Sequence, residues 1–142
     1  MTAAWMKHHR RQQEDIMNLF GICLITQDVN RLSLFYQKVL QVEAEGSDTH
    51  VILQTEGCGL TIYDRVAAER DMAFDFRDHW GAGSTTLMFR VPDCDAAFER
   101  LKTIVPAFMT TPKTYPWGAR AFHFRDPDGN IVDFVTPPAG ES

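Results

Sequence analysis

Two stretches of this chain repeat one another. In the first, an apolar run from Leu19 to Thr26 is followed by Asp28 and then by Val29 to Leu40. In the second, Thr85 to Val91 is followed by Asp93 and then by a segment with Ala96, Ala97, Leu101 and Ile104. Each copy has an alternating run that suits a strand, an aspartate where a helix N-cap belongs and apolar residues at helical spacing. The two aspartates are 65 residues apart, and at that offset Ile22 and Leu24 fall on Leu87 and Phe89. A repeat that keeps core faces in register is a structural duplication, so the fold must be assembled from two copies of one unit.

The rest of each unit follows the helix. In the first copy, Leu19 to Thr26 is the opening strand, and Leu32, Phe35, Tyr36, Val39 and Leu40 make Val29 to Leu40 an amphipathic helix. Tyr36 reads as a packing residue. Val42 to Glu45 is a short strand, His50 to Thr55 a better one with Val51 and Leu53 alternating, Glu56 to Gly59 a turn, and Leu60 to Asp64 the last strand. In the second copy, Thr85 to Val91 is a strand, a helix follows Asp93, Ala107 to Thr111 is a weak strand, and Pro112 to Gly118 is a Pro-rich loop. The copy ends in a hairpin of Ala119 to Arg125 and Ile131 to Thr136. Between them Pro127 presets its φ and Asp128-Gly129 tolerates positive φ, so the chain reverses at Asp126 to Asn130.

Arg65 to Ser84 differs in kind. It is charged and partly helical over Val66 to Arg70, then aromatic at Phe74, Phe76 and Trp80, and it closes on Gly81-Ala82-Gly83-Ser84. It reads as a linker whose aromatics seal the core edge or cover a ligand. The boundaries are a polar leader at 1–17, a first module at 18–64, the linker at 65–84, a second module at 85–138 and a tail at 139–142. Met17 is an alternative start, since the domain pattern begins directly after it. His8 and His9 in the leader are adjacent and do not face one way on a helix, so they are not read as a metal site.

Composition excludes several classes. With 142 residues, 44% of them hydrophobic, the chain can bury one domain's core. A formal charge of -5 and no basic stripe exclude nucleic acid as partner. Cys23, Cys58 and Cys94 are odd in number and lack Cys-x-x-Cys spacing, which argues against a disulfide framework and for a reducing, cytoplasmic setting. No apolar run is long enough to span a bilayer, and the N-terminus lacks the apolar core of a secretory signal.

Two stretches carry a resemblance: Asp28 to Leu40, and Pro116-Trp117-Gly118-Ala119-Arg120 followed by Phe124 to Asn130. With the repeat, they make the chain resemble the vicinal oxygen chelate superfamily, the glyoxalase, bleomycin-resistance and extradiol-dioxygenase group, over roughly Leu19 to Pro138. The resemblance implies an α+β fold of two tandem βαβββ modules whose curled mixed sheets form a cleft. It also implies a homodimer, often with each cleft built across the pair. Metal-using members place His and Glu on the first and last strands of each module. Here those positions are Gly21, Thr61 or a neighbour, Thr86 and Asp133. Gly has no side chain and Thr hydroxyls are poor ligands for transition metals. One carboxylate does not make a site of three protein ligands, so no metal cofactor is expected.

By alternation Cys23, Thr61, Tyr63, Thr86, Met88 and Asp133 face the cleft, and His123 lies on the strand hairpinned to that of Asp133. Trp117 and Arg120 belong to the loop that in the family reaches the cleft rim. Cys23 reads as a buried, inert thiol. The function expected is metal-independent binding of a small organic molecule, as in proteins that sequester a drug or metabolite. Whether any reaction is catalysed stays open. One alternative is a metal-dependent lyase, isomerase or dioxygenase with rearranged ligands, His50, His123 and Asp133. Another is a regulatory or scaffold protein whose cleft is filled by its own side chains from Phe74 to Trp80.

Overall fold

The computed structural model describes residues 21–81 and 83–140. The expected leader with His8 and His9, the first two residues of the expected opening strand, and the last two of the tail lie outside the described residues. The elements run β1 (Gly21–Thr26), α1 (Val29–Leu40), β2 (Ala44–Gly46), β3 (His50–Leu53), β4 (Gly59–Asp64), α2 (Arg65–Met72), β5 (Thr86–Arg90), α3 (Cys94–Leu101), β6 (Phe108–Thr114), β7 (Arg120–Arg125) and β8 (Ile131–Thr136). Both repeat aspartates cap their helices. Asp28 Oδ1 accepts from the Arg31 amide at 3.0 Å and Asp93 Oδ1 from the Ala96 amide at 3.1 Å. Each satisfies an amide that the first helical turn leaves without a partner.

The two units build matching four-stranded mixed sheets, ordered β1-β4-β3-β2 and β5-β8-β7-β6. In each, the first and last strands of the unit are parallel neighbours and the other pairings are antiparallel. The alternation seen in the sequence sorts each sheet into two faces. Leu24, Val51, Leu53, Leu60 and Ile62 of the first sheet, and Leu87, Phe122, Phe124, Val132 and Phe134 of the second, enter one continuous core with Leu32, Tyr36, Val39 and Leu101 from the helices. The rings of Phe35 on α1 and Phe124 on β7 are 6.2 Å apart, so the helix of one module packs on the sheet of the other. Both sheets turn their apolar faces to this shared core. Their other faces therefore look outward and not at one another.

Three local details differ from the expectations. Asp64 closes β4 and at once caps α2, accepting the Ala67 amide at 3.0 Å, so helix covers Arg65 to Met72 and buries Ala67 and Ala68. The expected Pro-rich loop starts later, because β6 continues through Pro112 to Thr114. Pro112 has no N–H to donate, and it is tolerated because β6 is an edge strand whose register shifts between Thr110 and Lys113. Helix α3 ends at Leu101, and Ile104, expected on that helix, follows in a turn where its amide donates to the Leu101 carbonyl at 2.9 Å.

Candidate ligand pocket on the second sheet

One row of side chains crosses the outward face of the second sheet. The registers pair Met88 with Asp133, Asp133 with His123, and His123 with Thr110, one residue from each strand in turn. Because side chains alternate along a strand, these four lie opposite to the Phe122, Phe124 and Phe134 that fill the core. Thr110 Oγ1 accepts the His123 backbone amide at 2.9 Å and lies 2.8 Å from His123 Nδ1. His123 Nε2 in turn lies 3.4 Å from Asp133 Oδ1. Asp133 is buried, and its Oδ1 is sealed from solvent without a hydrogen-bond partner. Burial pushes its carboxyl above the usual carboxylate range, and the nearby His123 opposes the rise.

The loop after β6 supplies the wall. The Tyr115 amide bonds the Ala119 carbonyl at 2.8 Å, and the Gly118 amide bonds the Tyr115 carbonyl at 2.9 Å. Gly118 holds a φ of +95°, and a Cβ there would meet Pro138 Cγ at 3.0 Å, so this turn needs glycine. The turn displays Trp117, whose ring stacks on Tyr115 at 5.0 Å and remains 71% exposed. Trp117, Tyr115, Met88, Ala119, Ala121 and Val135 enclose a pocket of about 280 Å³ with His123 and Asp133 in its lining. A much wider depression, about 1650 Å³, lies between α1, the Gln54–Gly59 turn, β5 and Pro137 to Gly140.

The expected site residues are distributed as follows. Met88, Trp117, His123 and Asp133 come together. Cys23, Thr61 and Tyr63 lie on the outward face of the other sheet, where Cys23 neighbours Thr61 and Tyr63 neighbours His50, with rings 5.0 Å apart. Thr86 lines the wide depression. Arg120 does not point to the pocket. Its guanidinium bonds both Asp95 oxygens on α3, at 2.8 and 2.9 Å, on the core side of the sheet. Alternation explains this, since Arg120 shares its face with Phe122 and Phe124. Cys23 is exposed and not buried, because among the described residues β1 is an edge strand and nothing covers its outer face. Partial desolvation still raises its thiol pKa, which disfavours the thiolate a nucleophile needs. Thr110 and Tyr115 were not among the expected site residues. Simple alternation would put Thr110 on the core face with Phe108, and only the register shift between the two, which the sequence does not display, turns it to His123.

The donor set does not fit a metal. Among the described residues no three His, Cys, Asp or Glu side chains are grouped to hold an ion. His123 and Asp133 are adjacent, but His50 is on the other sheet. Phe74, Phe76 and Trp80 do not fill this pocket either. They pack edge to face on each other at 5.9 and 5.1 Å, and the Arg65 guanidinium lies 4.3 Å from the centre of the Trp80 ring. No helix among the described residues is long and apolar enough to cross a membrane.

Paired βαβββ modules with a pocket against the last strand define a class, and the comparisons agree with it. The chain belongs to the Glyoxalase/Bleomycin resistance protein/Dioxygenase superfamily, whose model matches residues 17–134. Its structure is similar to a glyoxalase/bleomycin resistance protein/dioxygenase from Nocardioides (TM-score 0.74, 19% identity, 96% of each chain covered). It is similar to a family enzyme from Burkholderia phytofirmans PsJN (TM-score 0.71, 20% identity, 84% of this chain and 98% of that one). It is also similar to a protein of unknown function from Agrobacterium tumefaciens str. C58 (TM-score 0.70, 26% identity, 85% and 94%). No curated protein matches the chain.

Proposed function

We propose that this protein binds a small organic molecule in the Trp117–Asp133 pocket without help from a metal. The observation that carries the reading is the combination of an exposed indole, an exposed thioether (Met88 is 69% exposed) and a buried acid in one concavity. Apolar walls with a few aimed polar groups are the usual make-up of a small-molecule site. A metal-assisted lyase or dioxygenase reaction has less support, because Gly21, Thr61 and Thr86 supply no ligand of the kind such chemistry needs.

The same reading includes a homodimer. Among the described residues the pocket is lined by one module alone, β1 and β5 each leave one strand edge unpaired, and Ile22 and Met88 beside those edges are exposed. A second copy laying its β1–β4 face over β5 would cover these edges and bring its own Cys23, Thr61 and Tyr63 over the pocket. The test is protein-observed NMR with a mixed fragment library, together with elemental analysis after adding back nickel, zinc, manganese or iron(II) singly. Fragments that shift Trp117 and Met88, with metal far below stoichiometric, are the expected result. Stoichiometric metal that survives dialysis, or fragments that never perturb Trp117, would overturn the reading.

A further inference from the structure

The outward face of the second sheet carries basic side chains in a chain whose net charge is -5. Strand registers set these side chains in rows, because cross-strand partners share a face. One row runs Arg90, Val135, Ala121, Lys113 across β5, β8, β7 and β6. Its two middle members line the pocket, and its two end members are cations. Arg125 stands on the same face, two residues beyond His123 on β7. Among the described residues neither Arg90 nor Lys113 is paired with a carboxylate. The one acid among the strand residues of this face is Asp133. Its Oδ1 is sealed and lies 3.4 Å from His123 Nε2, so that oxygen is closed to a ligand.

The other polar groups of the lining add donors. Trp117 Nε1–H only donates, and the Tyr115 hydroxyl and a neutral His123 ring can each donate. Tyr115 also joins the flat wall to the charge. The Trp117 indole lies within 13° of parallel to its ring at 5.0 Å, and the Lys113 ammonium is 5.4 Å from the ring centre. Ala119 and Ala121 are buried, and their small side chains leave room above them for a ring. A cationic ligand would meet Arg90, Lys113 and Arg125 as like charges, and the sealed Asp133 oxygen could not answer it. An acid group deep in the pocket would meet Asp133, whereas at the rim it meets unpaired cations. We infer that the ligand of this pocket is a flat organic acid. Its conjugated ring lies over Ala121 and Val135 against Trp117, and its anionic group stays at the rim, toward Lys113 and Arg90. The inference rests on the small-molecule reading above and adds the shape and charge of the ligand to it.

The test uses four probes on the full chain at pH 8, at low ionic strength with EDTA present. Benzoate is flat and anionic, benzamide flat and neutral, benzamidine flat and cationic, and cyclohexanecarboxylate anionic and puckered. Binding is followed by NMR at the Trp117 indole N–H and the Met88 methyl. Exposed ion pairs are modest, so benzoate is expected to bind about fivefold tighter than benzamide, with benzamidine weakest. Added salt of about 0.5 M should close that gap. Loss of stacking should leave cyclohexanecarboxylate about threefold or more weaker than benzoate. Arg90→Gln combined with Lys113→Gln brings benzoate down to the benzamide level and leaves benzamide unchanged, whereas Trp117→Ala weakens both. Equal affinities for the three flat probes, a preference for benzamidine, or unchanged benzoate binding in the double variant would overturn the acid while leaving the pocket standing. Cyclohexanecarboxylate binding as well as benzoate would overturn the flat frame. Silence of both reporters with every probe would overturn the acid and the pocket together. The probe series on the unmodified protein decides the matter even where the double variant does not fold.

Discussion

At Tyr36 a single hydroxyl ties the two modules together. Tyr36 is fully buried and donates to Asp126 Oδ2 at 2.6 Å, across 90 residues of sequence. Asp126 also accepts the Asp128 and Asn130 amides at 2.9 Å and the Asn130 side-chain amide at 2.8 Å, so one carboxylate closes the hairpin turn and anchors α1. Tyr36→Phe removes one donor from this buried carboxylate and is expected to cost about 1–3 kcal/mol, read from urea unfolding. Asp133 is the opposite case, an acid without donors. Its folded pKa is raised above the unfolded value of roughly 3.9, so the folded state holds that proton more tightly. The carboxylate's cost is present at neutral pH and disappears as pH falls through the raised pKa toward the unfolded one. Asp133→Asn is therefore expected to stabilise the empty protein by about 1 kcal/mol at pH 7. Melting curves should show that advantage vanishing below about pH 4.

At the scale of elements, the caps and the edge strand carry the local design. Asp28→Ala and Asp93→Ala each remove a side chain that holds a first-turn amide, and each is expected to cost about 1 kcal/mol in unfolding experiments. Asn at either position should restore most of the loss. The helix starts were legible because an aspartate before an apolar 3.6-residue pattern has a local cause. The hairpin around Asp126 to Asn130 was legible for the same reason. The extent of β6 was not, because a proline read alone argues against a strand, and only an edge position with a shifted register admits it. The helix from Arg65 to Met72 was half legible. Its cap, Asp64, is also the last residue of a strand, and alternation draws the eye past it.

Across the whole molecule, the shared core sets what one chain can do alone. Arg100 on α3 donates to the Val39 carbonyl at 3.0 Å, at the negative end of the α1 dipole, and so joins α3 to α1. With both helices and both apolar faces committed inward, the Cys23 face and the Asp133 face cannot meet within a chain. Light scattering is expected to give twice the 16.2 kDa chain mass. Ile22→Lys, beside the β1 edge, is expected to lower that mass toward one chain and to weaken ligand binding in step. A monomeric mass for the unmodified protein would remove the shared-pocket arrangement.

The sequence by itself determined the duplication, the helix starts, the hairpin and which residues of each strand share a face, because caps, turns and two-residue alternation act over a few neighbours. That Gly21 and Thr86 carry nothing well suited to a transition metal is a matter of residue chemistry alone. Only the tertiary structure decided that Arg120 belongs to α3, that Thr110 orients His123, that Cys23 is uncovered and that Asp133 lacks a donor. Those outcomes depend on register, bulges and the packing of one module on the other, and each joins residues whose separation in sequence leaves no local trace.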